Sequence, residues 1–190
     1  MIEFYFGCMG SSKSKQLIES YRIQSKLKDI KILTCLAHFD ESYPIDGCIK
    51  TRAHDDVIIQ KFVLTPQSNL DNLIGYDVIF IDEAHFLTPD CVRFLASLDS
   101  DIRCFGLLTD FTNNIFAGSQ ALLYYAKEVH CLQSKYELCN RQATHNIRLV
   151  NDKRVFSGEQ FILKTTESIT YKAVCQDCFE KENHNENQSI

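Results

Sequence analysis

No stretch of this chain approaches the ~20 consecutive apolar residues that a membrane span requires. No basic segment followed by a long apolar one opens it. Long Lys/Arg runs are missing and the net charge is −5, so nothing supports nucleic-acid binding by phosphate neutralisation. Internal repeats are missing as well, and the one biased tract is the Asn- and Glu-rich tail from Glu180, whose composition predicts disorder. Without a secretion signal, the odd count of nine cysteines predicts no disulfide scaffold. These absences predict a soluble, cytoplasmic chain with neither membrane nor nucleic acid as partner. What is present, 190 residues of which 45% are hydrophobic and 24% charged, suits one ordinary globular domain with a small appendage.

The most informative stretch is Phe6-Gly7-Cys8-Met9-Gly10-Ser11-Ser12-Lys13-Ser14, directly behind the apolar run Ile2 to Phe6. A short strand, a tight loop of small residues and Lys-Ser opening a helix is the layout of a phosphate-binding loop. Backbone N–H groups and a helix N-terminus face the anion, the Lys reaches the outer phosphates, and the Ser hydroxyl can join a Mg²⁺ shell. Gly7, Cys8, Met9, Gly10, Ser11, Ser12, Lys13 and Ser14 are the candidate nucleotide-binding residues. The pattern wants Gly before the Lys, and Ser12 stands there. If that position needs positive φ, a side chain costs ~1–2 kcal/mol, which is expected to weaken nucleotide binding.

Asp77-Val78-Ile79-Phe80-Ile81-Asp82-Glu83-Ala84-His85-Phe86 is an apolar run ending in two carboxylates. Apolar runs without alternation read as strands buried on both faces, as in parallel sheets. Ligands of such sheets sit outside the carboxyl ends of the strands. Asp82 and Glu83 are therefore expected beside the loop at Gly7 to Ser14, where Mg²⁺ and a reacting phosphate would be. His85 is expected near the site without a proton-transfer role.

Five runs read as core strands, Ile2–Phe6, Ile30–Leu36, Val57–Leu64, Val78–Ile81 and Ile102–Leu108, with a sixth at Glu128–Leu132. Helices are predicted over Ser14 to Lys28, Pro89 to Leu98 (behind Thr88 as N-cap) and Ser119 to Lys127. Strands alternating with helices imply an α/β fold: a parallel sheet with right-handed crossovers and helices on both faces. Asp40 to Asp56, polar and broken by Pro44 and Gly47, reads as a loop or hairpin insertion. From Lys135 onward short alternating segments such as Asn146–Val150 and Gln160–Lys164 predict a small β-rich appendage. The resulting division is 1–134, 135–180 and a tail at 181–190.

Most cysteines (Cys8, Cys35, Cys48, Cys91, Cys104 and Cys131) lie in or beside apolar runs and read as small buried hydrophobes. Cys175-x-x-Cys178 has the reach of a zinc knuckle, with Cys139 upstream across the β-rich appendage. Structural zinc wants four ligands; Cys131, His130 or His145 are the candidates for the fourth.

The same residues also carry a resemblance. Gly7 to Ser14, Asp82-Glu83-Ala84-His85-Phe86, Gly106-Leu107-Leu108-Thr109-Asp110-Phe111, Phe116-x-Gly118-Ser119, Cys139-Asn140-Arg141-Gln142-Ala143-Thr144, Gly158-Glu159-Gln160 and Tyr171-Lys172-Ala173-Val174-Cys175-x-x-Cys178 follow one another as in the cytosolic-type thymidine kinases. The chain resembles that family, its bacterial branch most closely, as far as about Phe179. The resemblance implies a P-loop, RecA-like domain with a small zinc-knuckle-like β domain, ATP and Mg²⁺ as reactants, structural Zn²⁺ and a homotetramer. It implies transfer of the ATP γ-phosphate to the 5′-hydroxyl of thymidine, in nucleotide salvage for DNA synthesis. Lys13 would hold the phosphates, Ser14 and Asp82 would serve Mg²⁺, and Glu83 would take the hydroxyl proton. Met9, Phe86, Phe111 and Phe116 would wall the thymine pocket, with Tyr171 on a loop closing over it. Arg52 and His54 match a Ser/Thr-Arg segment of the family, which reads as a phosphate contact or as a solvated loop.

The chain departs from the family at several points. Besides Ser12, Ser42 stands where the family has Arg, and Leu36 where it has a nearby Lys. Tyr136 replaces the first zinc cysteine, and Thr166 and Glu167 replace a Gly pair in the closing loop. Each lost cation removes contacts worth roughly 1.5–3 kcal/mol. A non-catalytic relative that still binds nucleoside or nucleotide is the alternative reading.

Overall fold

The computed structural model describes residues 1–38, 62–135, 141–160 and 167–180. Six strands, β1 (Ile2–Phe6), β2 (Ile32–Ala37), β3 (Phe62–Leu64), β4 (Val78–Asp82), β5 (Asp101–Gly106) and β6 (Glu128–Cys131), form a sheet in the order β3-β2-β4-β5-β1-β6. Every neighbouring pair in it is parallel. All five residues of β4 are buried, because its apolar run has no polar face to turn to water. Val78 and Phe80 meet Leu17 and Ile18 of helix α1 (Lys13–Gln24) together with Phe105. Ile79 and Ile81 face the other way, into a core with Val92 and Leu95 of α2 (Pro89–Ala96) and Leu122 of α3 (Ala117–Tyr125). One helix thus covers one face of the sheet and two cover the other.

The strand that carries the two acids is separated from the strand that carries the loop by β5 alone, so both C-terminal ends open at one edge. Two glycines permit the close packing there. A Cβ on Gly106 would lie 2.9 Å from the His85 backbone N, and one on Gly118 would lie 2.5 Å from the Leu87 carbonyl oxygen. α2 begins as its sequence suggests, with Thr88 Oγ1 accepting the Cys91 N–H at 3.2 Å and Pro89 behind it.

Several expected bounds shift. α1 ends at Gln24 rather than Lys28, since Ile23 and Leu27 are 65% and 54% exposed and no residue between Tyr21 and Ile30 joins the core under the helix. α3 starts two residues earlier than expected, at Ala117, and stops at Tyr125. β5 ends at Gly106, after which the chain turns to build the site. Residues 57–61 of the expected third strand lie outside the described residues, as do the 39–56 insertion, Gln160–Lys164 beyond its first residue, and the 181–190 tail.

The C-terminal part is β-rich, as expected. β7 (Ser134–Lys135) pairs with β8 (Gln142–Ala143), and β9 (His145–Val150) lies between β10 (Lys153–Val155) and β11 (Ile169–Val174), all antiparallel. Asn151 and Asp152, at φ 50° and 62°, make the two-residue turn between β9 and β10 that such left-handed pairs favour. Ile147, Leu149 and Val174 form a core against Cys178 and Phe179. Cys35, Cys91 and Cys104 are buried as expected; Cys131 is exposed, because β6 is the sheet edge, and Cys8 is half-buried.

Candidate active site

The loop after β1 is tightly closed. A Cβ at Gly7 would sit 2.5 Å from the Leu132 carbonyl oxygen, so only glycine fits. Ser12 does hold positive φ, 62° with ψ 26°, as the residue preceding α1, and its side chain makes no capping hydrogen bond. Lys13 Nζ donates to the carbonyls of Gly7 and Cys8 at 2.8 and 2.9 Å and approaches Ser11 Oγ at 3.3 Å. Burial lowers the Lys13 pKa, opposed by the nearby charge of Glu83 and, more weakly, Asp82. The loop lysine and both acids therefore share one electrostatic neighbourhood. Ser14 follows in the first turn of α1.

Asp82 is buried at the end of β4, and its Oδ1 accepts the Glu83 N–H at 3.1 Å. Glu83 takes the left-handed conformation (φ 53°) that starts a 3-10 turn, Ala84–Phe86, and turns its half-exposed carboxylate outward. Glu83 Oε2 comes within 3.5 Å of His85 Nδ1, but this is not an ion pair. Burial, with the Lys13 charge adding to it, pushes His85 down to about 3, and its Nδ1 already accepts the Leu107 N–H at 3.3 Å. A neutral imidazole locked between β4 and β5 orients the turn.

Glu83 opens into a cavity of about 400 Å³, within the size range of small-molecule sites. Met9, Phe86, Phe111, Phe116 and Tyr171, the expected pocket residues, all line it. Phe86 and Phe116 pack edge to face at 6.1 Å, with the His85 ring 4.1 and 4.6 Å from them. Phe111 is presented by a loop that folds on Asp110, whose Oδ1 accepts from Thr112 N, Thr112 Oγ1 and Asn114 N at 2.8, 2.8 and 2.9 Å. Leu36 and Ala37 close the far side.

The thymidine kinase family model fits residues 1–179. This chain belongs to the thymidine kinase family. It is 30% identical over 186 residues to a thymidine kinase of Streptococcus thermophilus (strain CNRZ 1066), covering 91% of this chain and 90% of that one. To the Chromobacterium violaceum thymidine kinase it is 31% identical over 186 residues, covering 93% and 96%. A Streptomyces avermitilis thymidine kinase matches at 35% over 109 residues, only 53% of this chain and 50% of that one.

Two side chains of this family member were not marked by its sequence as site residues. Asn146 Oδ1 accepts the Met9 N–H at 2.8 Å, and its Nδ2 donates to the Thr109 carbonyl at 3.4 Å, so β9 ties the loop after β1 to the loop after β5. Arg148, also on β9, is buried with its guanidinium 3.7 Å from the Phe111 ring centroid. The polar-apolar alternation Asn146-Ile147-Arg148-Leu149 was the available signal: it placed the polar residues on one face, and only the fold shows that this face is buried too.

Of the expected zinc set, Cys139 lies outside the described residues, as do Ser42, Arg52, His54 and Thr166. Among the described residues no group of three or more His, Cys, Asp or Glu side chains comes together as a metal site. Cys175 precedes and Cys178 lies within a helical turn in which the Phe179 N–H donates to the Cys175 carbonyl at 3.0 Å. Asp177 in that turn pairs with Arg141, two residues past Cys139. His130 is committed elsewhere, stacked on Tyr5 at 4.4 Å, whereas the His145 ring stacks on Phe179 at 4.5 Å. Glu167 accepts from Asn151 Nδ2 at 3.4 Å, beside the β9–β10 turn.

Proposed function

We propose that this chain is an active kinase that transfers the γ-phosphate of ATP to the 5′-hydroxyl of thymidine. The observation that carries this is the single cavity into which the Glu83 carboxylate opens beside the Lys13 loop, walled by Met9, Phe86, Phe111, Phe116 and Tyr171. In this reading the nucleoside base lies among the aromatic rings with its 5′-hydroxyl toward Glu83. Glu83 takes the hydroxyl proton as the oxygen bonds to the γ-phosphorus, and the bond to the β–γ bridging oxygen breaks to release ADP. Lys13 exchanges its carbonyl partners for phosphate oxygens, and the amides of Gly7 to Ser14 face the same anion. The Ser14 hydroxyl and the Asp82 carboxylate are the oxygen donors a hard cation takes. Mg²⁺ held there would neutralise phosphate charge.

Cys175 and Cys178, with Cys139, would hold Zn²⁺ as a structural ion stapling the Tyr171 strand. The Arg141–Asp177 pair supports this by holding the chain just after Cys139 near the Cys175 turn. His145, stacked in the same place, is the best fourth ligand of the three considered. Metal analysis of purified protein, together with a Cys175→Ser variant, tests the assignment. The family resemblance supports a homotetramer in the cytoplasm, and light scattering measures its size. Among the described residues no helix is long and apolar enough to cross a membrane.

The kinase reading is tested by phosphate transfer from labelled MgATP to thymidine, with Glu83→Ala as the blank. Loss of a general base predicts a fall of about 10²–10⁴-fold in kcat. Equal rates in wild type and variant would refute it. The second reading, a relative that binds without turnover, is favoured by Leu36 lining the cavity where the family carries a Lys. Thymidine binding without phosphate transfer would select it.

A further inference from the structure

The two faces of β9 meet different neighbours. Ile147 and Leu149 join the small core with Val174, while Asn146 and Arg148 alternate with them and are also buried. Arg148 is 1% exposed and heads the fully buried side chains in size. A cation that far from water needs its N–H groups and the faces of its planar guanidinium satisfied. Nε donates to the Tyr171 hydroxyl at 2.9 Å and Nη2 to the Gln160 carbonyl at 2.9 Å. The guanidinium carbon stands 3.7 Å from the Phe111 ring centroid and 5.3 Å from that of Tyr171. Phe111, Gln160 and Tyr171 come from three separate segments, and all three line the 400 Å³ cavity. Arg148 stands behind that wall, and the chemistry described above makes no use of it.

We propose that Arg148 is a positioning residue that sets nucleoside affinity by clamping these three segments into one wall. The inference rests on the cavity being the nucleoside pocket. A planar fork that donates in two directions while offering a cationic face to an aromatic ring is a property of Arg that Lys lacks. With the clamp gone, Tyr171 and the Gln160 segment must be fixed by the ligand itself at the moment of binding, so affinity falls while the loop at Lys13 and the carboxylate of Glu83 stay in place.

The test compares wild type with Arg148→Lys, Arg148→Met and Tyr171→Phe. Steady-state kinetics and calorimetric titration with thymidine are run side by side. Both Arg148 variants are expected to raise the thymidine KM and Kd about tenfold or more, with kcat and the ATP KM within about twofold of wild type. Tyr171→Phe, which removes one of the two donated bonds, is expected to fall between. Adding it to Arg148→Met should cost little more, since both act through one contact. Thymidine KM and Kd unchanged in Arg148→Lys would overturn the inference. So would a loss shared equally by thymidine affinity, ATP affinity and thermal midpoint, the mark of a residue that only holds the fold. If Arg148→Met fails to fold, Arg148→Lys and Tyr171→Phe still decide. Wild type that binds thymidine without phosphorylating it refutes the kinase reading and leaves the titrations valid; wild type that binds none refutes both.

Discussion

Replacing Ser12 with glycine separates two places where loop strain can act. Ser12 holds φ 62°, ψ 26° and gains no side-chain hydrogen bond in return. A left-handed non-glycine residue costs ~1–2 kcal/mol. Glycine removes that cost but gives the unfolded chain more freedom, which takes back ~0.4–1 kcal/mol. The net expectation is a stabilisation of ~0.5–1 kcal/mol. At ~2–4 °C per kcal/mol for a chain of this size, the thermal midpoint should rise by ~1–4 °C. The sequence alone suggested that Ser12 weakens nucleotide binding. Because the left-handed conformation belongs to the fold itself, its cost falls on folding and cancels from the binding equilibrium. Ser12→Gly should therefore leave the ATP KM within about twofold, with melting followed by circular dichroism and KM by the phosphate-transfer assay. A tenfold drop in ATP KM with an unchanged midpoint would refute the reasoning, since it would place the strain in the bound loop only.

The other expectations concern the walls of the site. His85, pushed down to about 3 by burial and then by Lys13, is neutral in the fold while the unfolded chain protonates near 6.5. Its stabilising contribution is complete above pH 6.5 and is lost as pH falls toward 3, at about 1.4 kcal/mol per unit. The melting temperature should drop ~3–7 °C between pH 6.5 and 5, and His85→Gln should flatten that slope; equal slopes would contradict it. Asp110→Ala removes the acceptor of three hydrogen bonds that shape the loop presenting Phe111. It should raise the thymidine KM several-fold with a smaller effect on ATP, as initial-rate measurements would show.

The layered part of the fold was legible because its signals are local. β1 has the bounds its apolar run implies, and β4 extends one residue beyond its run to include Asp82. Gly7, Lys13 and the Asp82-Glu83 pair announce their chemistry by spacing, and parallel topology brings them together. The end of α1 was not legible, since the sequence past Gln24 carries no Gly or Pro to stop a helix, and only the fold shows Ile23 and Leu27 turned to solvent. Asn146 and Arg148 escaped for the opposite reason. Their pattern is that of a half-solvated strand, and what makes them site residues is a second surface supplied by Met9, Thr109 and Phe111 from remote parts of the chain. His85 was placed near the chemistry by its motif, but its neutrality follows only from burial.

Asn146 has a consequence for how the two ligands communicate. A single side-chain oxygen on β9 accepts the amide of Met9, and two residues along the same strand the Arg148 guanidinium donates to the Tyr171 hydroxyl and the Gln160 carbonyl. Under the proposed function, a change in the conformation of that strand would reach both binding regions, whereas loss of one contact acts mainly at its own end. By thermodynamic reciprocity, any factor by which the nucleotide tightens the nucleoside is the factor by which the nucleoside tightens the nucleotide. Under the proposed function, the polar face of this strand is a physical link between the nucleotide and nucleoside regions.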